Sequence, residues 1–331
     1  MSAVRLQVGT FVPQGWRLDL HHVDGAAEKW ATLRTRAEEL EALGYDSLWV
    51  YDHFHTYPRT LIEATFECWT LMAALSQITR RIRLGQLVTC QGYRNPAILA
   101  KMAACVDVMS GGRTEVGLGA GWFEAEHEAY GYPFPRIRER LDRMAEAAQI
   151  LKLMWTEERA SFAGRYYSIK GAINEPKPLQ RPGPRLWIGG SGEKVLLRAV
   201  AAHADGWNYN RAPEDFDHKR DVLTRHCSDV GRDPREIAIS VERMGVCLDD
   251  AGELADWFRR TLPAEVPIER YVERYARNQC VGTAEDCFRD LAYFAERGVR
   301  YFILYFPDGA RGEMARRFAE HVIPRLRETF G

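Results

Sequence analysis

The chain has 331 residues, is 46% hydrophobic, and carries 45 Lys and Arg against 46 Asp and Glu for a formal net charge of −1. That length accommodates one large α/β barrel or two ordinary domains, and so small a net charge excludes a general electrostatic pull towards nucleic acid or an anionic membrane surface. The opening MSAVRLQVGTFVPQ has no basic region followed by an apolar one, and no run approaches the ~18 apolar residues of a membrane span, so the sequence reads as cytoplasmic, with neither membrane nor nucleic acid as a partner.

In chain order, strand-like runs fall at 5–12, 46–51, 82–89, 114–119, 185–190, 205–210, 236–246 and 300–306, with helix-like segments between them. In the segment 136–155, Ile137, Leu141, Met144, Ala148, Leu151 and Trp155 recur at steps of three and four, the period of an amphipathic helix. The segment 95–110 opens on Asn95-Pro96, an N-cap followed by proline at the first helical position, and stops at Gly111-Gly112. Eight such βα units favour a (β/α)8 TIM barrel over a doubly wound sheet. No Pro/Ser-rich linker divides the chain, so residues 1–331 read as a single domain. Two stretches depart from the alternation. Residues 160–176 read as a hairpin excursion, and residues 250–282 as a polar helical insertion before the last unit, carrying Arg259, Arg260, Arg270, Arg274 and Arg277 interleaved with Glu265, Glu269 and Glu273.

The seven cysteines are scattered and form no C-x-x-C pair, the pattern of buried fillers in a reducing compartment; Cys90 sits at the end of a predicted strand. No H-x-H follows the first strand, and His21-His22 lack the i, i+4 spacing of helical metal ligands, so no metal site is expected.

In a TIM barrel, chemistry collects at the C-terminal ends of the strands. The second strand ends its apolar run Leu48-Trp49-Val50 on Asp52, His53 and His55, polar groups that are costly to bury unpaired. A histidine there has the right range for proton handling, and Asp52 is the expected support for His53. After the fourth strand, GLGAG (117–121) is not the dinucleotide fingerprint, because Trp122 stands where its third glycine belongs. After the fifth, Gly189, Gly190, Ser191 and Gly192 lie between a strand and a helix start, where free N–H groups and the helix dipole favour an anion; a tight turn is the other reading.

The segments YDSLWVYDHF, RIRLGQLVTCQGYRNPAILAKMAACVDVMSGGRTEVGLGAGWFEAEHEAYG and RLWIGGSGEKVLLRAVAAHADGWN resemble the bacterial luciferase-like monooxygenase superfamily, and within it the branch of coenzyme F420-dependent (deazaflavin) oxidoreductases. The resemblance runs over nearly the whole chain. It implies a TIM barrel with an insertion before the last unit and a cofactor in the barrel mouth, with its phosphate at Gly189–Gly192. It implies further a non-prolyl cis peptide at Leu87–Val88, next to Thr89, behind the cofactor ring. Asp52 and Asn95 complete the expected cofactor set, although Asn95 is also explained by helix capping, and Arg94, Asn208 and Arg211 follow strands at the same end.

By the same resemblance His53 is the candidate for polarising substrate or cofactor. Tyr57 and Trp122 stand where sugar-phosphate dehydrogenases of the branch carry a tryptophan and a catalytic glutamate, which argues against that reaction. The proton-transfer group then falls among His53, Tyr57, Glu124 and Glu126, with His53, Tyr57 and Glu124 put forward as catalytic; Glu124, Glu126 and Glu128 equally suit the start of a helix. Phe11, Trp16, Tyr93, Trp122 and Phe123 could wall the pocket.

The expected activity is hydride transfer between coenzyme F420 and a small organic substrate, in a homodimer. The alternative is an FMN-dependent monooxygenase supplied by a separate reductase, and a third reading is a barrel that binds a flavin without turnover. The insertion's arginines could attract the cofactor's acidic tail or form a solvated helix face.

Overall fold

The computed structural model describes residues 5–264, 266–269, 272–273 and 279–331. Each of the eight expected runs forms a parallel strand: β1 (Gln7–Phe11), β2 (Ser47–Val50), β3 (Arg83–Gln86), β4 (Thr114–Gly119), β5 (Arg185–Gly189), β6 (Gly206–Tyr209), β7 (Ala238–Cys247) and β8 (Tyr301–Tyr305). Each strand pairs with the next, and β8 pairs back onto β1, so the sheet closes into a TIM barrel and leaves no open edge. The principal helices are α1 (Ala26–Ala42), α2 (Cys68–Ile78), α3 (Pro96–Ser110), α4 (Glu124–Ala129), α5 (Ile137–Thr156), α6 (Leu196–His203), α7 (Phe216–Asp229), α8 (Leu254–Thr261) and α9 (Ala284–Ala295).

The barrel interior is filled by a few very large side chains set against glycines. Trp49, Trp187 and Tyr301 meet edge to face at its centre, with ring centroids 5.4 to 6.3 Å apart. A Cβ on Gly85 would lie 2.5 Å from the Trp49 ring, and one on Gly206 2.3 Å from the Trp187 ring, so the strands beside each indole must be bare. The polar edges are satisfied: Trp49 Nε1 and Tyr301 Oη both donate to Ser47 Oγ, at 2.8 and 2.7 Å, and Trp187 Nε1 donates to Glu115. These three rings plug the middle of the barrel.

Both excursions are present. The hairpin pairs Ala160–Ala163 with Ser168–Ala172 in antiparallel fashion, and Glu146 of α5 accepts the N–H groups of Arg165, Tyr166 and Tyr167 at its turn. Tyr167 then reaches the loop after β3, donating to Gln91 Oε1 at 2.8 Å. The insertion begins with α8, which buries Leu254, Trp257 and Phe258, and ends in a short strand, Cys280–Gly282, paired with the last residues of β7. That strand was not expected, and it explains why β7 outlasts its neighbours. Arg259 pairs with Asp256 of its own helix; Arg270, Arg274 and Arg277 lie outside the described residues.

Among the described residues no helix is long and apolar enough to cross a membrane, and no group of three His, Cys, Asp or Glu converges as a metal site. The seven cysteines are free, six of them buried. Burial pushes the Cys90 thiol up to about 12, so it stays protonated at neutral pH.

Candidate active site

The chain leaving β2 carries two functional groups in opposite directions. Asp52 is almost wholly buried, accepts the N–H of Cys90 at 2.9 Å, and takes a bidentate pair from Arg94 at 2.6 and 2.9 Å. Arg94 also grips Glu67, the N-cap of α2. Burial alone would lower the Arg94 pKa, but the Asp52 carboxylate beside it more than reverses that and holds the guanidinium charged. Asp52 therefore clamps the loops after β2 and β3 together. Its carboxylate is not the partner of His53, contrary to expectation, because successive residues of an extended chain point to opposite sides.

The partner of His53 is Glu126, from α4. His53 Nδ1 lies 2.8 Å from Glu126 Oε2, Tyr93 Oη donates to the same oxygen at 2.9 Å, and Oε1 accepts the N–H groups of Phe54 and His55 at 2.7 and 2.8 Å. Burial would raise the Glu126 pKa, yet the hydrogen bond and charge of His53 and the backbone N–H groups of His55 and Phe54 hold it below the usual carboxylate range. An ionised Glu126 requires the proton on Nδ1, which leaves Nε2 of His53 as the ring nitrogen able to exchange a proton. Glu124, the expected acid of this segment, is exposed in the first turn of α4. Six residues of helix were too few to show from periodicity that Glu126 and His127 form its buried side.

Aromatic rings enclose His53. Trp16, from the loop after β1, stacks on its imidazole at 4.1 Å, and Trp122 and Phe123, after β4, meet it at 5.6 and 6.0 Å. Tyr57 packs edge-on to both Trp122 and Phe123 and stacks with Trp16 at 5.8 Å. Trp122 remains 55% exposed, so the enclosure has an open, apolar side. Phe11 stacks on Tyr51 at 4.0 Å behind Trp16, whereas Tyr93 lies beneath the site, on Glu126. Two charged groups here were missed. Arg17 lies 4.4 Å from the Trp16 ring and 5.6 Å from that of Tyr57. Glu242 of β7 is in register with Ile303 on the inner face of the barrel; burial pushes its pKa up, against the charge of Arg17 and a hydrogen bond from Asn210. Its signal was the inward phase of β7, where Ser240 and Glu242 alternate with outward Val241 and Arg243.

Just after β3, the peptide bond between Leu87 and Val88 is cis, where the resemblance placed it. Leu87 and Thr89 are buried, and Thr89 Oγ1 accepts from Trp69; Val88 is the partly exposed member, against Gly189, where a Cβ would sit 3.0 Å from Val88 Cγ1. The turn after β5 has Gly190 at φ +125°, a conformation costly for any other residue, and Arg211 Nε donates to Ser191 Oγ at 3.2 Å. Residues 193–195 form a turn before α6 begins at Leu196, so the glycines stand further from the helix than expected. Asn208 is buried and donates to Ser240. Asn95 is exposed, and its side chain accepts the Ala97 N–H at 2.9 Å: it caps α3, and the capping reading accounts for it.

Comparison with known proteins agrees with this architecture. A phthiodiolone/phenolphthiodiolone dimycocerosates ketoreductase of Mycobacterium sp. (strain JLS) is 29% identical over 282 residues, covering 77% of this chain and 70% of that protein. The same-named protein of Mycobacterium tuberculosis (strain ATCC 25618 / H37Rv) is 30% identical, and the matched region spans 57% of its length. Among solved structures, an F420-dependent secondary alcohol dehydrogenase in complex with an F420-acetone adduct superposes with a TM-score of 0.78 at 23% identity, covering 98% of this chain and 99% of that one. That likeness shows a shared fold. The luciferase-like monooxygenase family description matches residues 6–279. The chain belongs to the luciferase-like monooxygenase family, a family of oxidoreductases.

Proposed function

We propose that this chain is a coenzyme F420-dependent oxidoreductase that moves a hydride between the deazaflavin and a small organic substrate of the secondary alcohol and ketone class in the barrel mouth. The observation that carries this reading is the His53–Glu126 pair, whose imidazole stacks on Trp16 and meets Trp122 and Phe123. The ketoreductase name of the mycobacterial relatives and the secondary alcohol dehydrogenase among the structural neighbours support the substrate class.

The residues present fit the cofactor. Val88, partly exposed and packed against Gly189, offers an apolar face, and the Gly189–Gly192 turn, with the Ser191 hydroxyl and the Arg211 guanidinium beside it, offers donors suited to a phosphate. A bound deazaflavin supplies the hydride chemistry, having carbon at the position where a flavin activates oxygen. The protein's own part is acid–base chemistry and exclusion of water. In alcohol oxidation, His53 Nε2 takes the hydroxyl proton as the carbinol carbon gives up its hydride, and Glu126 stabilises the resulting imidazolium. In ketone reduction the same nitrogen returns a proton to the carbonyl oxygen. Tyr57 and Trp122 wall the substrate, and Glu124, on the exposed rim, has no part in the transfer.

A second reading, an FMN-dependent monooxygenase fed by a separate reductase, is favoured by one finding: a monooxygenase from Streptomyces bottropensis shares the fold at a TM-score of 0.77 and 20% identity, covering 97% of this chain and 99% of that one. Fluorescence titration of the purified protein with coenzyme F420 and with FMN separates the two. Saturable binding of F420, tighter than FMN, is expected; tight FMN binding without response to F420 would replace the first reading with the second.

A further inference from the structure

At the end of the barrel opposite the mouth, the starts of β3 and β5, the early part of β4 and the end of α5 surround a cavity of about 530 Å3. Six charged residues line it: Arg83, Lys152, Arg181 and Arg185 against Glu115 and Asp205. The two carboxylates are already spent. Glu115 is fully buried, pairs with Arg83 Nε at 2.5 Å, and accepts from the Trp187 indole; Asp205 pairs with Lys152 at 2.8 Å and accepts the Leu186 N–H at 2.9 Å.

Arg181 and Arg185 have no carboxylate partner among the described residues. Arg181 Nη1 donates to the carbonyl of Pro178, and the Arg185 guanidinium lies 5.6 Å from the Trp187 ring centroid. The five residues that present them read Arg-Pro-Gly-Pro-Arg. Its prolines fix φ, and its glycine lies so close to Trp155 that a Cβ would sit 2.7 Å from the indole, so the segment is held against the wall of the cavity rather than free above it. Two uncompensated guanidiniums on a short, stiff segment share one cavity of small-molecule size. A guanidinium fork is the side chain best matched to a phosphate or carboxylate.

We propose that this basal cavity is a second ligand site, separate from the catalytic mouth, for a small organic dianion bearing phosphate or carboxylate groups. Arg181 and Arg185 bind the charges, Trp155 and the two prolines flank the ligand body, and the Arg83–Glu115 and Lys152–Asp205 pairs hold the walls. The Trp49–Trp187–Tyr301 plug lies between this site and the mouth, so the two sites bind independently.

Isothermal titration of the full chain with pyrophosphate and, separately, with citrate at low ionic strength tests this. At least one anion is expected to bind a single site, with affinity falling as salt is added. Arg181→Gln/Arg185→Gln, both at exposed positions, should weaken that site by about tenfold or more through loss of two charge-assisted contacts. Ser191→Asp, which alters the mouth, should leave it intact. Which anion binds decides between phosphate and carboxylate ligands. The proposal is overturned if neither anion binds, if the double variant, shown folded by circular dichroism, binds as tightly as the parent, or if Ser191→Asp alone abolishes the heat, which would assign it to the mouth.

Discussion

Replacing Glu126 by Gln keeps the shape of the site and removes its charge. Four hydrogen bonds converge on this fully buried carboxylate, two of them from backbone N–H groups on Oε1. The amide oxygen of Gln retains those two, so its NH2 faces His53 Nδ1 and Tyr93 Oη. Nδ1 must then accept rather than donate, which moves the ring proton to Nε2, and the nitrogen meant to receive the substrate proton already carries one. Loss of a charged hydrogen bond costs roughly 1.5–3 kcal/mol, part of which the new amide contacts offset. The fold should therefore survive, while kcat for alcohol oxidation falls by about 10² to 10⁴, the usual contribution of a positioned acid–base group. Steady-state F420 reduction at saturating alcohol, with urea unfolding as the control for the fold, reads both quantities. A variant that unfolds like the parent and retains kcat within about twofold would refute the role given to the pair.

Further outcomes follow from other parts of the molecule. Ser191→Asp sets a carboxylate beside the turn and against Arg211; F420 affinity measured by fluorescence should fall by about tenfold or more, whereas unchanged affinity would remove the phosphate from this turn. Gly190 itself is unsuited as a probe, because its +125° φ strains any side chain. Gly85→Ala drives a methyl into the Trp49 ring and should lower unfolding free energy by about 1–3 kcal/mol in urea titrations. Asp308 is raised from 3.8 to about 6 by burial, against N–H bonds from Met314 and Glu313. Its folded pKa exceeds its unfolded one, so the stability it contributes is full below about pH 4 and is lost as pH rises through about 6. Asp308→Asn mimics the protonated form, and its stability relative to the parent should rise between pH 4 and 7.5 by up to roughly 3 kcal/mol; a difference independent of pH would contradict that assignment.

The barrel was legible because each strand and each flanking helix carries its own period, and closure follows from eight such units. The turn at Gly189–Gly192 was legible for a similar local reason: glycines after a strand mark a special backbone, and Gly190 has one. What stayed hidden depends on contacts between distant segments. Adjacency in sequence suggests Asp52 as the support of His53, yet adjacency in an extended chain guarantees divergence; the true partner lies 73 residues away. Within α4, nothing in Glu-Ala-Glu-His-Glu shows which carboxylate turns inward, because that depends on how the helix rests against the loop after β2. Arg17 sits in a loop with no period at all, and Glu242 was detectable only as a carboxylate on the inward phase of a strand. The pairing of Trp49 with Gly85 and of Trp187 with Gly206 is set by register between strands, which no single strand reveals.

The central claim is hydride transfer to a deazaflavin in a mouth built around His53. A single-turnover experiment tests it most directly: the protein is mixed with oxidised coenzyme F420 and a series of secondary alcohols, with and without deuterium at the carbinol carbon, and the cofactor absorbance is followed. The account predicts loss of the oxidised F420 band with at least one alcohol, slowed by deuteration and suppressed in Glu126→Gln. Absence of F420 reduction across the series, together with alcohol- or ketone-dependent oxygen uptake in the presence of reduced FMN, would contradict it.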